Sequence, residues 1–396
     1  MSEIILVNNE KDCCGCGACA NECPKQAISM KEDDCGFLFP EIDHDKCVEC
    51  GKCLRICAYK KDKIEKHEPL EGYAAINNDT DMERKSASGG VFSALAHAFI
   101  KSGGFISGAI AKQENGSFVI EHIVGNDNDS LEKMQGSKYV QSNSFVAFPR
   151  IKELLNSGER VLFCGTPCQV DAVKTITGNP NNLITIDLIC HGVSSQKLFR
   201  DFISRLERDL KCRLLHFSFR DKAGKEKGFN AAAYSENTKY EIPHALLSYY
   251  KLFLNGIIYR ENCYSCPYAC KERVSDITIG DFWGIEEQHK EEIDAGEIDL
   301  GKYWSCILEN TDKGKEFLKE YNGLLQLIPS DYKKIAFKNK QLREPSIMPQ
   351  KRKKYLGLYL KEGYKAVESE FRKNMGGPIK FWIKRKIYIK RHNLGE

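Results

Sequence analysis

No window of this 396-residue chain approaches the ~20 consecutive apolar residues that a membrane-crossing helix requires, so a helical span is not expected. The opening residues carry neither a basic cluster nor a long apolar stretch, which argues against a secretory leader and for the cytoplasm. A Gly-x-Gly-x-x-Gly fingerprint is missing, and with it the usual sign of a dinucleotide fold. No nucleic-acid motif accompanies the basic residues, so nucleic acid is not an expected partner. Apolar residues at 42% and charged residues at 29% describe an ordinary globular chain, and the length suits two or three domains.

Cysteine, in contrast, is abundant. Eighteen in a chain of this length, clustered at fixed spacings, point to metal ligation rather than to disulfides. Cys13, Cys16, Cys19 and Cys23 follow Cys-x2-Cys-x2-Cys-x3-Cys with Pro24 behind them, and Cys47, Cys50, Cys53 and Cys57 repeat the spacing with Ala58 in place of proline. In two-cluster ferredoxins three thiolates of one run bind a 4Fe-4S cube and the fourth crosses to the other cube. The expected sets are therefore Cys13, Cys16, Cys19 and Cys57, and Cys47, Cys50, Cys53 and Cys23. Gly15, Gly17, Ala18, Ala20 and Gly51 are small enough to let backbone amides approach cluster sulfides. Zinc, the alternative, favours paired Cys-x-x-Cys hooks over two runs of four. Cys14 and Cys35 are off-pattern and read as structural or bystander thiols. Residues 1–60 are thus expected to form an α+β ferredoxin-like module, and the charged stretch 61–72, with Pro69, a linker.

Past the linker, Ser86-Ala-Ser-Gly-Gly precedes an apolar period at Val91, Leu95 and Phe99, which predicts a helix stopping at Gly103 with Ser86 or Ser88 as its cap. His97 reads as a packed histidine. Residues 105–112 and 118–124 read as strands turning at Glu114-Asn-Gly, and Lys138 as a cation among polar residues, exposed on the plainest reading. Val161-Leu-Phe-Cys-Gly is a buried strand, followed by Thr166 as a helix cap and Pro167 at the first helical position. Cys168 falls in that first turn, where amide dipoles favour a thiolate. A second strand ends at Cys190-His-Gly, before an amphipathic helix over about 196–210. This alternation predicts an α/β body with a mostly parallel or mixed sheet, and strand ends that lead into helix starts are where such bodies bind ligands. Cys263, Cys266 and Cys270 add three thiolates, one short of a cube, with Cys168 or Cys190 available as the fourth. Cys164, Cys212 and Cys306 sit in apolar settings and read as core thiols.

Six segments, in order, resemble the coenzyme F-420 hydrogenase/dehydrogenase beta-subunit family, whose relatives include a formate dehydrogenase beta subunit and a 7-hydroxymethyl chlorophyll a reductase. They are Ser86-Ala-Ser-Gly-Gly, Gly136-Ser-Lys-Tyr-Val-Gln-Ser, Phe163-Cys-Gly-Thr-Pro-Cys-Gln, Cys190-His-Gly-Val, Phe219-Arg-Asp-Lys and Asp276-Ile-Thr-Ile-Gly-Asp-Phe-Trp-Gly. The resemblance implies a family N-terminal flavin-site domain over 73–150 and a C-terminal domain with a third iron-sulfur site over 151–345. On matching positions Ser86, Ser88, Gly89, Gly90, Lys138 and Thr166 become flavin-site candidates. Cys263, Cys266 and Cys270 become ligands of a third 4Fe-4S cluster, with Cys168 preferred as the fourth and Cys190 in reserve. The implied protein is an oxidoreductase passing electrons between a one-electron partner, such as ferredoxin or a dehydrogenase subunit, and an organic small-molecule substrate, through 4Fe-4S clusters and FAD. An electron-relay subunit and a non-redox metal-binding adaptor are the other readings. His191, with Asp187 upstream and Arg220 and Lys222 downstream, is the candidate for supplying protons or holding an anionic substrate.

Residues 346–396 read as a basic tail. From Lys351 onward fourteen Lys/Arg stand against four Asp/Glu, while the whole chain carries +4, so the rest is slightly acidic. The segment from Lys380 to Arg391 mixes cations with apolar residues, which suits a helix on an acidic surface, either a partner's or the inner face of the membrane. A helix packed back onto the body fits the same composition.

Overall fold

The computed structural model describes residues 4–57, 59, 65–222, 230–377, 380 and 383; Ala58, part of the linker and most of the Lys380 segment lie outside them. In the N-terminal module each cysteine run leads into a short helix, Ala18–Asn21 and Lys52–Ile56. Between them β1 (Ile28–Glu32) and β2 (Leu38–Ile42) pair as an antiparallel hairpin. The module sits directly on the body. Asn21 Nδ2 donates to the Phe145 carbonyl at 3.1 Å, Ser195 Oγ to that of Cys35 at 2.5 Å, and Arg200 pairs with Glu32 at 3.0 Å.

This docking gives Gly17 a second reason to be glycine. Its φ is 72°, and an added Cβ would lie 2.5 Å from the Phe145 side chain, so backbone strain and a clash coincide. Gly17→Ala is expected to cost ~1–3 kcal/mol as an overpacking change. Denaturant unfolding together with earlier proteolytic cleavage inside the module would reveal it.

The body is built on one eight-stranded sheet. Its strands are β3 (Glu71–Asn77), β4 (Phe105–Glu114), β5 (Ser117–Gly125), β6 (Val161–Gly165) and β7 (Leu183–Leu188), then, after a small three-stranded sheet of β8 (His216–Ser218), β9 (Asn230–Tyr234) and β10 (Lys239–Pro243), β11 (Ile277–Asp281), β12 (Ser305–Glu309) and β13 (Leu325–Ser330). The spatial order is β13-β3-β12-β11-β7-β6-β4-β5. Neighbours among β11, β7, β6 and β4 run parallel, and every pairing on either flank is antiparallel, so the sheet is mixed. All five residues of β6 are buried, as in a parallel strand covered on both faces.

Two expectations about boundaries meet this sheet. β3 starts at Glu71, inside the stretch expected to be a linker, and lies between β12 and β13, so one sheet takes strands from both 73–150 and 151–345. The described part of the linker is held down: His67 and Arg273 exchange two backbone hydrogen bonds of 2.8 Å, and the Leu70 amide donates to Glu309 at 2.7 Å.

The parallel strands β6, β7 and β11 all present their carboxyl ends to one edge, which carries Thr166, Cys190 and Asp281 respectively. β12 runs the opposite way and begins there, placing Trp304 and Ser305 on the same edge. The helix Val91–Lys101 starts nearby at Gly90, in the left-handed region at φ 78°. Neither expected serine caps it, because Ser86 Oγ bonds the Met82 carbonyl and Ser93 instead.

Part of the basic tail belongs to the body. Helices Lys351–Glu362 and Tyr364–Asn374 bury Tyr355, Tyr359, Tyr364, Val367 and Phe371 in the same core as Phe199 and Phe202. Arg352 pairs with Glu261 at 3.0 Å and Arg372 with Asp209 at 2.8 Å, so cations of the tail meet acids of the body. Among the described residues no helix is long and apolar enough to cross a membrane.

Candidate iron-sulfur centres

The module brings its cysteines into two groups. Burial pushes the Cys19 thiol up, and the neighbouring Cys16, Cys13 and Cys57 thiols push it further, so these four lie together. Cys53 is raised by burial first and then by Cys23 and Cys47, and these three line one hollow with Cys50. Each group takes its fourth member from the other run. Backbone amides already point at sulfur, Gly15 N to Cys13 and Ala27 N to Cys23, both at 3.3 Å, which is the environment a cluster thiolate needs. Among the described residues no three His, Cys, Asp or Glu side chains converge as a single metal ion requires.

A further cavity opens at the carboxyl ends of β6 and β7, under the segment that follows Arg260. Cys14, Cys168, Cys190, Cys263 and Cys266 line it, with Thr166, His191, Tyr268 and Arg273. Burial pushes Cys263 up to about 12 and Cys266 up to about 11, with Cys168 near both. Burial also raises Cys190, whose neighbours are Cys263, Cys168 and Cys266. Cys168 is lowered instead, first by a hydrogen bond from the Cys14 thiol and also by Thr166, whose Oγ1 lies 3.2 Å from its sulfur. Amides of Gly192, Val193 and Tyr268 reach Cys190, Cys263 and Cys266 respectively. Several thiols crowded away from water are costly to ionise alone, and a bound cation cluster removes that cost. The donor set fits a 4Fe-4S cube.

Cys270 is not on that wall. Its sulfur lies 3.3 Å from Lys66 Nζ and turns toward the carbonyls of Pro267 and Glu272. The intervening turn is pinned the other way: Tyr268 OH donates to Asp171 at 2.7 Å, and Arg273 Nη1 donates to the Tyr268 carbonyl at 3.0 Å. Cys190, the reserve for the fourth ligand, lines the cavity together with Cys168, Cys263 and Cys266.

Three other participants were not singled out from the sequence. Cys14 lies between Cys16 and Cys168 and contacts both, so it joins the module's first group to the cavity rather than standing by. Tyr59 is half-buried with its hydroxyl beside Cys14, Cys266 and Cys168, accepting from Asn262 Nδ2 at 2.7 Å. Arg260 Nε donates to the Cys13 carbonyl at 2.9 Å. The Cys13-Cys14 doublet and a basic residue three positions before Cys263 were the only available signals.

The flavin candidates fall in two places. Ser88, Gly89 and Gly90 sit where β3 meets β12: Gly89 N donates to Ser305 Oγ at 2.9 Å, and Ser88 Oγ to the Trp304 carbonyl at 3.3 Å. An ion pair of 2.7 Å between Lys85 and Glu132 ties the preceding helix to Asn128–Met134, whose last carbonyls Lys138 caps with hydrogen bonds of 2.7–2.9 Å. Lys138 is therefore engaged rather than exposed, and burial pushes its ammonium down to about 7. Thr166 faces the thiol cavity instead.

His191 stands exposed at the cavity mouth. Its expected companions are engaged elsewhere: Asp187 with Arg273 at 3.0 Å, Arg220 with both oxygens of Asp281 at 2.9 and 2.6 Å, and Lys222 with Glu83 and the Ser88 carbonyl.

Comparison with known proteins finds two family matches in the chain. Residues 158–332 match the family described as the C terminus of the coenzyme F420 hydrogenase/dehydrogenase beta subunit, and residues 12–61 match the 4Fe-4S dicluster domain. One subunit of the F(420)H(2) dehydrogenase of Methanosarcina mazei is 26% identical over 212 residues, 50% of this chain and 60% of that relative's length. An uncharacterised protein of Methanocaldococcus jannaschii is 26% identical over 79% of this chain and 88% of its own. One subunit of the ion-translocating oxidoreductase complex of Methanosarcina acetivorans is 47% identical over 51 residues, 13% of this chain and 17% of its own length. A chain of the F420-reducing NiFe hydrogenase complex from Methanosarcina barkeri superposes with a TM-score of 0.46 and 17% identity, covering 69% of this chain and 89% of that one.

Proposed function

We propose that this chain, which joins a 4Fe-4S dicluster domain to the C-terminal part of the coenzyme F420 hydrogenase/dehydrogenase beta-subunit family, is an iron-sulfur flavoprotein oxidoreductase with a third cluster in the body. The observation that carries the reading is the meeting of Cys168, Cys190, Cys263 and Cys266 in one cavity, joined through Cys14 to the module's first group. Clusters move single electrons, and FAD, when bound, couples them to an electron pair. The module's second group has the exposed Cys50, which suits entry or exit of electrons at a partner protein.

The residues at the carboxyl edge fit a flavin. Among the described residues no side chain caps the N-terminus of helix Val91–Lys101, and first amides in that position can receive a phosphate. The paired Arg220 and Asp281 and the engaged Lys222 border the same edge and fix its shape. The names of the relatives favour reduced coenzyme F420 as the organic partner.

A second reading is a relay subunit whose substrate chemistry lies in another chain, favoured by a relative that is named as one member of a dehydrogenase complex. Anaerobic reconstitution with iron, sulfide and flavin counting separates the two. The expected result is about twelve irons, since each of three cubes holds four, together with one FAD. About eight irons would remove the third cluster, and twelve irons without flavin would leave the relay.

A further inference from the structure

Arg260 is 1% exposed, and among the described residues no carboxylate pairs with it. Its Nε is used on the Cys13 carbonyl, and its plane lies over the Phe39 ring, 4.1 Å from the centroid. Among the described residues Nη1 and Nη2 find no oxygen or nitrogen acceptor, and the side-chain partner of the guanidinium is the Cys13 thiol. A guanidinium cannot shed its proton, so buried cationic nitrogens met by a thiol alone are poorly satisfied. The side chain is held at the Cys13 site, while its backbone leads directly into the cavity cysteine Cys263. Its charge acts on Cys13 of the module and on Cys168 and Cys263 of the cavity. Its backbone is equally shared: the Arg260 amide donates to Val193 at 2.7 Å, and the Cys263 amide donates to the Arg260 carbonyl at 3.1 Å.

We infer that Arg260 is a positioning residue common to two clusters, its open Nη groups donating to sulfur of the Cys13 cluster and of the cavity cluster, and its fixed charge raising both reduction potentials. Half of this rests on the proposed third cluster, and half on the dicluster domain alone. Reduction adds negative charge to a cluster, and a fixed cation in a poorly screened interior favours the reduced form. Hydrogen bonds to cluster sulfur act in the same direction. The module's second group lacks Arg260 among the neighbours acting on Cys53 and serves as an internal control.

The test is potentiometry followed by electron paramagnetic resonance on the reconstituted full chain, comparing wild type with Arg260→Met, Arg260→Gln and Arg260→Lys. The neutral variants are expected to shift the Cys13 cluster and the cavity cluster to more negative potentials, with the Cys47 cluster unmoved and the lysine variant close to wild type. Neutral variants that titrate like wild type, or that shift all three clusters alike, would overturn the inference. If the neutral variants load no iron, the lysine variant decides: loading supports a need for the charge, and failure makes Arg260 a packing piece. A wild-type content of about eight irons with a shifted Cys13 cluster removes the third-cluster reading and keeps the role at the first cluster, whereas about twelve irons with unshifted potentials does the reverse.

Discussion

Cys190→Ala is expected to lower the iron content from about twelve to about eight per chain, while Cys270→Ala leaves it unchanged, because each cube holds four irons. The two substitutions remove the same atoms from thiols that differ only in where they point. Cys190 follows β7, lines the cavity, and has Cys263, Cys168 and Cys266 as its electrostatic neighbours. Cys270 is close to Cys266 in sequence, but its sulfur rests against Lys66 on the far side of a pinned turn. Iron and sulfide assays on anaerobically reconstituted protein read the difference directly, and the spectrum of the dithionite-reduced protein shows which signal is lost. Loss of four irons on Cys270→Ala with retention on Cys190→Ala would restore the ligand set suggested by spacing.

That contrast also marks how far the sequence could be read. The eight module cysteines were legible because a local run encodes its own geometry, and the crossed sharing follows from having two runs. The parallel centre of the sheet was legible for a similar reason: β6 and β7 are apolar runs, the first passing directly into a helix and the second into the Cys190-His-Gly segment that precedes one. The flanks were not, because β3, β12 and β13 come from distant parts of the chain and their antiparallel pairing leaves no local trace. Spacing alone cannot show that Cys270 turns toward Lys66, since it reports distance along the chain whereas Tyr268 and Arg273 hold the turn between it and Cys266. Ser86 and Ser88 mislead likewise: either has the chemistry of a cap, but Gly90 reaches the position in a conformation open to glycine. Lys138 looked like a surface cation because nothing in its neighbours reveals the three carbonyls it meets.

The ion pair beneath the cavity should show an asymmetric response. Asp187 and Arg273 are 0% and 2% exposed, meet at 3.0 Å, and leave Asp187 Oδ1 without a partner. Arg273 also donates to Thr278 Oγ1 and to the Tyr268 carbonyl, so it fixes the turn that carries Cys266. Asp187→Ala leaves a buried guanidinium that cannot neutralise itself, and the expected loss is ~3–5 kcal/mol of unfolding free energy. Arg273→Met leaves a carboxylate, which can neutralise itself. Burial already raises the pKa of Asp187 against the pull of Arg273, and removing the arginine raises it further, so the acid takes up a proton and part of the loss is avoided. The sign with pH follows. A carboxyl whose folded pKa lies above its unfolded value of ~3.9 stabilises the fold at low pH and loses that contribution as pH rises through the folded pKa. Arg273→Met should therefore fall further behind wild type as pH rises from the acid side, because its Asp187 keeps the proton to higher pH than the wild-type group does. Denaturant unfolding of the variant and wild type across that rise measures this, and a deficit that does not grow with pH would overturn the idea that Asp187 neutralises once its partner is removed.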